Sequence, residues 1–402
     1  MATRISDYFI GIAAKRLSNV EINSNQHEFN GINRFRIILG TERTQYSGTI
    51  IYLPDQEEGI VQNECAYTWY DVRVGNPNRS PEYRLYFSDN EVVPNAAIGD
   101  LVILAKNRNN ELLIIVAPAE STSEKQLLWL FGLEEIENRF VVRDFRDDHH
   151  DIGFAGKYIL ESFGINVEER VDRYLEEMLS RFGRQFPTTR EFSSFARGTV
   201  GDVSALDDPD NALMAWWDRE GELLKLYEKE LLSERLRQGF GEDGSDVDAF
   251  ISFSLSVLNR RKSRAGHSLE NHLETIFAEH RLSFTKGAKT ERNNKPDFLF
   301  PSQAAYRNNA FPAQLLDMLG VKTTCKDRWR QVLPEANRIN RKHLITLEPA
   351  ISRSQTDEMI AQDLQLVIPT PIMNTYRQEQ LAHIIDLSTL IANLKEKQQV
   401  FQ

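Results

Sequence analysis

Residues 295–341 constrain the fold more than any other stretch, because two short apolar runs there each carry a charged residue at one end. A Pro-Asp pair, with its acid at Asp297, precedes a predicted strand at 298–300. A second predicted strand, 318–322, ends in Lys322. An acid and a lysine at the ends of adjacent strands form a compact site that can bind a metal ion and a phosphate. The charged residues that follow predict a DNA-reading surface: Lys326, Asp327, Arg328 and Arg330.

Length and composition indicate a soluble protein of two or three domains. The chain has 402 residues, and its hydrophobic fraction of 41% is that of an ordinary globular protein. We find neither an apolar run of about 18 residues, which a membrane span needs, nor a secretory signal at the N-terminus. Cys65 and Cys325 are far apart without metal-ligand spacing. We therefore expect a cytoplasmic protein with no membrane partner and no disulfide framework.

The net charge argues against an indiscriminate nucleic-acid binder but leaves local sites open. The chain carries −11 overall, yet seven Lys or Arg against two acids between Lys322 and Lys342 give a local balance of +5. A second basic cluster contains Arg260, Arg261, Lys262 and Arg264. A solvated charged face is the alternative for either cluster alone, and their position on both sides of one acidic site favours DNA binding.

The first 150 residues predict a β-rich domain, a small barrel or sandwich. Short runs rich in Ile, Val, Leu and Tyr predict its strands, and residues 106–110 predict a hairpin loop between two of them. These runs are 34–39, 49–53, 83–87, 101–105 and 111–117. Residues 156–183 show helical periodicity ending at Gly183, so we assign 151–183 to a helical linker.

A polar loop at 76–84 leads into one of these strands. Glu82 and Arg84 would project on the same side, because side chains alternate along a strand. A Glu can accept from cytosine and an Arg can donate to guanine in the major groove. An exposed cross-strand ion pair is the alternative, which the residues alone slightly favour.

The second domain, 184–402, alternates predicted helices and strands, which indicates an α/β domain with a mixed sheet. Thr188 and Glu191 fit a capping box. Predicted helices begin at Trp216 and span 268–280 and 376–395, and predicted strands span 343–347 and 364–368.

Spacing alone supports a metal-dependent phosphodiesterase. A nuclease of the Pro-Asp…(Asp/Glu)-x-Lys type has its second acid two residues before the lysine, and here that position is Gly320. Glu335 could replace it if the intervening chain folds back. Glu270 or Glu274, four residues apart on one predicted helix, could add a third carboxylate.

Three segments closely resemble the catalytic domain of the EcoRII family of restriction endonucleases. They are 259–274 (NRRKSRAGHSLENHLE), 295–302 (KPDFLFPS) and 321–331 (VKTTCKDRWRQ). The resemblance is nearly continuous from about 255 to 350 and weaker out to 184 and 402. It implies a PD-(D/E)xK fold in which the second acid has moved to a helix, which accounts for Gly320. The residues 1–150 resemble the family's effector-binding pseudobarrel less closely.

The resemblance also implies site residues. Asp297, Lys322 and Glu335 match the catalytic set, with Asp297 and Glu335 as Mg²⁺ ligands and Glu270 as the extra acid. For the catalytic domain it implies DNA contacts by Lys326, Asp327, Arg328 and Arg264. Trp216, Trp217 and Arg219 lie near the family's base-flipping position, and a core role is the alternative for one of the two tryptophans. For the effector domain it implies DNA contacts by Arg79, Glu82, Arg84 and Tyr52.

The expected protein is thus a multidomain α+β or α/β chain: a DNA-binding pseudobarrel followed by a restriction-endonuclease-like α/β/α catalytic domain. The expected function is a Type II, specifically Type IIE, endonuclease. It would be a homodimer that cleaves double-stranded DNA with Mg²⁺ at a CC/GG-flanked site such as CCWGG and is allosterically regulated by a second DNA copy. The alternative is a sequence-specific DNA-binding regulator with an inactive nuclease core.

Overall fold

The computed structural model describes residues 4–23, 27–30, 32–56, 59–75, 79–134, 136–137, 139–148, 152–165, 174–201, 203–241, 244–326 and 328–401. The chain divides into two compact units. Unit 1 contains residues 1–166 and 349–355, and unit 2 contains 167–348 and 356–402. The functional boundaries at 150 and 183 remain predictions.

Unit 1 is built on a curled sheet that has eight strands among the described residues, in the order β2-β5-β4-β3-β7-β6-β1-β8. All neighbouring strands are antiparallel except β3 and β7. The strands are β1 Phe9–Arg16, β2 Glu28–Phe29, β3 Thr44–Tyr52, β4 Val61–Asp71, β5 Tyr83–Phe87, β6 Leu101–Asn107, β7 Leu112–Ala117 and β8 Val141–Asp144. Trp69 is fully buried and stacks on Tyr83, which fixes β4 against β5 in the core. The predicted hairpin between β6 and β7 is confirmed.

The helices of unit 1 are α1 Ile5–Tyr8, α2 Asn19–Asn23, α3 Arg36–Leu39, α4 Thr122–Leu130 and α5 Gly153–Ser162. The strand predicted at 34–39 is wrong, because this segment forms a 3-10 turn followed by α3. Phe35, Ile38 and Leu39 are buried at helical spacing, so one face of a short helix reaches the core. Gly40 ends α3 with a φ of 90°.

The segment 349–355 is bonded within unit 1. Gln126 donates to the Pro349 carbonyl over 3.1 Å, and the Ser352 amide donates to Thr122 Oγ1 over 3.1 Å. Gln355 also donates to Asp55 Oδ2 over 2.8 Å. This short piece of chain therefore belongs to unit 1 although the strands before and after it belong to unit 2.

Unit 2 contains a mixed sheet with six strands among the described residues, in the order β14-β13-β12-β11-β10-β9. The strands are β9 Thr285–Lys286, β10 Phe298–Phe300, β11 Asp317–Lys322, β12 Lys342–Thr346, β13 Leu364–Val367 and β14 Ile384–Ile385. β9, β10 and β11 pair antiparallel, and β11 to β14 pair parallel. The mixed α/β fold class is thereby confirmed.

The helices of unit 2 are α6 Leu175–Phe182, α7 Thr189–Gly198, α8 Pro209–Gln238, α9 Val247–Glu279, α10 Gln303–Arg307, α12 Gln378–Leu381 and α13 Leu387–Gln399. α11, Arg353–Ala361, begins in unit 1 and ends in unit 2. The predicted helix end at Gly183 and the capping box of Thr188 and Glu191 are confirmed. α8 and α9 begin earlier than predicted, since Asp208 and Asp246 accept hydrogen bonds from the amides of their first turns. None of the helices in the described ranges has the length and hydropathy to cross a membrane.

The single closing helix predicted at 376–395 is wrong. The chain forms α12, then the edge strand β14, then α13. The β-branched pair Ile384 and Ile385 continues the parallel sheet beside β13. Asp386 then starts a new helix by accepting a hydrogen bond from the Thr389 amide.

Candidate active site

Asp297 and Lys322 lie at one edge of the unit 2 sheet. β10 and β11 are antiparallel with Phe298 opposite Leu319, so the start of β10 lies beside the end of β11. Lys322 Nζ is 3.9 Å from Asp297 Oδ2, and the Val321 amide donates to the same oxygen over 2.6 Å. The sheet register therefore places an acid and a lysine together, as the sequence predicts.

Gly320 has no room for a side chain. A Cβ at this position would lie 2.7 Å from Val332 Cγ2, closer than two carbon atoms can approach. Val332 is fully buried at the end of the 3-10 helix Arg328–Val332. The chain that was predicted to fold back thus forms a 3-10 turn that packs directly on β11 and leads to Glu335.

Glu335 is part of the same charged cluster. Burial raises the pKa of its carboxyl to about 7, the charge of Asp297 acts in the same direction, and Lys322 and Lys342 oppose both. Its Oε2 atom is buried without a hydrogen-bond partner in the described structure. Burial also raises the pKa of Asp297, against the stabilising charge of Lys322. The two carboxyls therefore interact, and the nearby lysines compensate their negative charge only in part.

Between the two acids that the sequence leaves open, the geometry favours Glu270. The charge of Glu270 acts on Asp297 and raises its pKa. Glu274 is already bound by a second cation, since Arg190 donates to both of its oxygens over 2.9 and 3.1 Å. Lys286 contacts both acids, at 3.4 Å from Glu270 and 3.2 Å from Glu274.

Aromatic packing holds the helix that carries Glu270. Phe277, seven residues later on α9, meets the rings of Phe298 and Phe300 edge-on, with centroids 5.2 and 5.4 Å apart. Because residues seven apart share a helix face, this contact directs Glu270 toward the strand that follows Asp297. Packing of neutral rings thus fixes the position of a charged group.

The sequence reasoning missed two lysines, Lys286 and Lys342. Lys286 lies on β9, an edge strand of two residues that no periodicity marks, and Lys342 begins β12. Burial lowers the pKa of Lys342, while the charges of Asp363 and Glu335 raise it. The fold brings Lys286 to Glu270, because β9 pairs with β10 at the edge of the sheet nearest to Glu270. No sequence signal marks that contact.

The carboxyl pair fits a hard divalent cation. Within the described ranges, no three His, Cys, Asp or Glu side chains are grouped to hold a metal ion on their own. Mg²⁺ is nevertheless commonly bound by one or two carboxylates together with waters and substrate phosphates. Such a cation would give the Glu335 Oε2 atom a partner. It would also lower the raised pKa of the Glu335 carboxyl, because it favours the ionised form. Asp297 and Glu335 would hold it.

A buried carboxylate fixes the backbone of the loop that follows β11. The buried Glu348 carboxylate accepts hydrogen bonds from the amides of Cys325 and Lys326. The side chains of Lys326 and Arg328 have no hydrogen bond or ion pair within the described structure, and Arg328 is exposed. Both cations are thus available to a ligand, whereas Asp327 lies outside the described residues.

Other predicted DNA contacts of unit 2 are held within the protein. Arg264 is 8% exposed, and its guanidinium donates to the Pro187 carbonyl, a placement that favours a structural role. Trp217 is half-buried, and Arg219 donates to Thr199 and pairs with Glu222, 3.0 Å in each case. Trp216 is buried beside His272, so of the two tryptophans it is the one that takes the core role. Base flipping by Trp217 and Arg219 stays a prediction.

In unit 1, Glu82 and Arg84 form an ion pair, but it is half-buried and joins residues two apart in sequence, whereas the predicted alternative was an exposed cross-strand pair. The partner of Arg84 across strands is Glu28, on β2. Arg84 donates to Glu82 over 2.9 Å and to Glu28 over 2.9 Å, and Arg73 also pairs with Glu82. Arg79 is exposed, and Tyr52 is half-buried on β3. Their roles in binding DNA stay predictions.

The comparison with known proteins finds one family and one curated relative. Residues 224–391 match the family described as EcoRII C terminal. The Type II restriction enzyme EcoRII of Escherichia coli is 44% identical over 211 residues, which are 52% of this chain and 51% of that enzyme. The chain therefore spans about half the length of the curated relative that it matches.

Solved structures with some similarity are complexes with DNA. Metal-depleted Ecl18kI with uncleaved, modified DNA is 18% identical with a TM-score of 0.47, covering 57% of this chain and 85% of that one. The complex of the PspGI restriction endonuclease with substrate DNA is 15% identical with a TM-score of 0.43, covering 53% and 93%.

Gly320→Ala should destabilise unit 2 by about 1–3 kcal/mol, because the added methyl group overlaps Val332. Urea unfolding measures the loss. Gly221→Ala on α8 is the control, since a Cβ there meets no other atom within 4 Å. The variant that combines Gly320→Ala with Val332→Ala should lose less than the sum of the two single losses. Strict additivity would refute the proposed steric contact.

Without a divalent cation, the wild-type chain should lose stability as pH rises. The Glu335 carboxyl has an ordinary pKa of 4.5 and a folded pKa of about 7. Its proton stabilises the folded state fully below 4.5, and that stability falls as pH rises through 7, by on the order of 1–3 kcal/mol.

Glu335→Gln removes this titration and serves as the reference. Urea unfolding of both proteins at about pH 5 and about pH 8 should show the difference turning against the wild type at the higher pH. Saturating Mg²⁺ should return stability to the wild type at about pH 8 and not to the variant. A difference that is constant with pH would contradict the assignment.

Proposed function

We propose that the chain is a Type II restriction endonuclease, a site-specific deoxyribonuclease that hydrolyses DNA phosphodiester bonds with Mg²⁺; the match of residues 224–391 to the family described as EcoRII C terminal supports this. One observation carries the proposal. Asp297, Lys322 and Glu335 interact electrostatically at one edge of the sheet although Gly320 replaces the expected second acid.

Each of these residues has a proposed role. Lys322 holds a phosphate oxygen or orients the attacking water, because its ammonium lies at the open edge beside Asp297. Asp297 and Glu335 are the proposed Mg²⁺ ligands, and Mg²⁺ when bound stabilises the charge on the attacking and leaving oxygens. Glu270 adds a carboxylate from α9, where Lys286 holds it in place.

Lys326, Asp327 and Arg328 are proposed to read bases beside the cleaved phosphate. Arg and Lys donate to guanine, and Asp accepts from the cytosine amine, which suits a CC/GG-flanked site such as CCWGG. The bracing of this loop by Glu348 supports the role, since a rigid backbone fixes the direction of each base contact.

The proposed partner is double-stranded DNA, and the proposed assembly is a cytoplasmic homodimer. A two-fold dimer suits a palindromic or pseudo-palindromic site, because each subunit can cut one strand.

Unit 1 is proposed to bind a second copy of the site and to regulate cleavage, as in a Type IIE enzyme. A groove lined by Asn33, Arg34, Arg36 and Ser80 supports this, since arginines are suited to phosphate contacts. Arg79, Tyr52 and the Glu82–Arg84 pair are the proposed contacts with effector DNA. Base contacts by the pair require both residues to exchange partners, because each is already bonded within unit 1.

A DNA-binding regulator with an inactive nuclease core is the alternative from another class. The presence of both carboxyls and the lysine argues against it, and a cleavage assay separates the two.

Asp297→Ala should reduce cleavage of plasmid DNA carrying CCWGG sites by about a hundredfold to a thousandfold or more, because one cation ligand is lost. Binding of a labelled duplex in Ca²⁺ should remain within a few fold. Asp357→Ala, an exposed acid on α11, is the control and should cut normally. No cleavage by wild-type protein with Mg²⁺ would overturn the proposed function. An equal loss of binding would make Asp297 structural.

Arg328→Ala should weaken discrimination between cognate and single-base-changed duplexes by roughly 1–3 kcal/mol, because a bidentate contact to guanine is lost. Arg330 was predicted to belong to the same surface, but it stacks over Trp329 at 4.6 Å and pairs with Glu358. Arg330→Ala is therefore the matched comparison and should leave discrimination nearly unchanged. Competition binding in Ca²⁺ measures both. Equal losses for cognate and changed duplexes would assign Arg328 to the phosphate backbone instead.

A further inference from the structure

The first half of α9 carries a stripe of exposed apolar side chains. Val247, Phe250, Ile251, Leu255 and Leu258 are each between 48% and 62% exposed. They recur at spacings of three, four and seven residues, which place them on one side of a helix. A contiguous apolar stripe of this kind marks a surface that another molecule covers.

This half of the helix has no buried side chain of its own. Between 247 and 260, all of which the structure describes, every side chain is exposed or half-buried, and Arg264 is the first buried residue of α9. At about 1.5 Å per residue the segment is roughly 20 Å long. Phe250 and Phe253 of this segment pack against Phe240, with ring centroids 5.4 and 5.3 Å apart. Helices gain most of their stability from packing an apolar face, so the rest of the stripe favours a partner.

We propose that the stripe is the surface through which two copies of this chain associate, with their α9 helices antiparallel across a two-fold axis beside Leu255. This rests on the proposed function, in which two active sites cut the two strands of one site. The same patch then faces itself, as a two-fold interface requires. Ile251 of one copy lies within a turn of Leu258 of the other.

The charges that flank the stripe select the antiparallel arrangement. Asp248 and Lys262 are both exposed and lie seven positions on either side of Leu255, which places them on nearly the same side of the helix. An axis beside Leu255 therefore brings Asp248 of each copy to Lys262 of the other. Parallel helices in register would instead pair Asp248 with Asp248 and Lys262 with Lys262, which is unfavourable.

DNA does not fit this surface. Duplex DNA is bound through its phosphates by Lys and Arg, and the five members of the stripe carry no charge. A second copy supplies both an apolar stripe and the complementary charge at each end.

Sedimentation equilibrium of the full chain tests the proposal. The wild type should be a dimer at micromolar concentration, and Leu255→Asp should weaken the dimer at least about tenfold, because two carboxylates meet at the axis. Ile360→Asp, at an exposed apolar position on α11, is the control and should leave the dimer unchanged. A monomeric wild type, or a Leu255→Asp dimer as tight as wild type, would overturn the proposal.

Charge exchange tests the register even if Leu255→Asp disturbs the helix. Asp248→Lys and Lys262→Asp should each weaken the dimer about tenfold, and the double exchange should restore it to within about threefold. Asp248 also lies in the first turn of α9, where an acid stabilises the helix. The double variant lacks that acid as well, so recovery would be due to the contact between copies. A double variant as weak as either single one would refute the antiparallel pairing.

The outcomes are separable from those of the proposed function. A chain that dimerises through α9 but does not cut DNA would refute the nuclease and leave this surface standing. A monomer that cuts both strands would refute the surface and leave the nuclease standing.

Discussion

The close approach of Val332 to the backbone of Gly320 is the contact on which the candidate site depends. Removing the side chain from the central position of β11 allows the following turn to pack on the strand itself. The chain then reaches Glu335 only three residues later, beside Asp297 and Lys322. The absence of an acid at position 320 and the presence of Glu335 in the site are therefore linked. The space left at Gly320 allows Val332 to pack on β11, and this packing brings the Glu335 carboxyl near Asp297.

Apolar packing maintains an electrostatically unfavourable arrangement here. Burial raises the pKa values of Asp297 and Glu335, and a neighbouring acid adds to the rise in each case, Glu270 for Asp297 and Asp297 for Glu335. The carboxyls therefore do not stabilise the fold by themselves. Val332 and the aromatic cluster around Phe277 provide the opposing stability. A site held in this way can accept a cation without rearranging, because the framework does not depend on the charges that the cation neutralises.

The sequence predicted the parts of the fold that local chemistry determines. The capping box at Thr188, the strand after Asp297 and the end of β11 at Lys322 each follow from adjacent residues. The segments 34–39 and 376–395 were misassigned because apolar content alone does not distinguish a short helix or an edge strand from its neighbour. Glu335 was predicted only on the condition that the chain folds back, and Lys286 was not predicted, since both depend on contacts between distant parts of the chain.

The seven residues 349–355 determine where the chain can be divided without loss of their hydrogen bonds. They leave unit 2 between β12 and β13 and return to it, while their hydrogen-bond partners lie at Gln126, Thr122 and Asp55. The chain therefore passes between the two units more than once. A single cut anywhere between residues 126 and 349 therefore separates this loop from all three of the groups that order it.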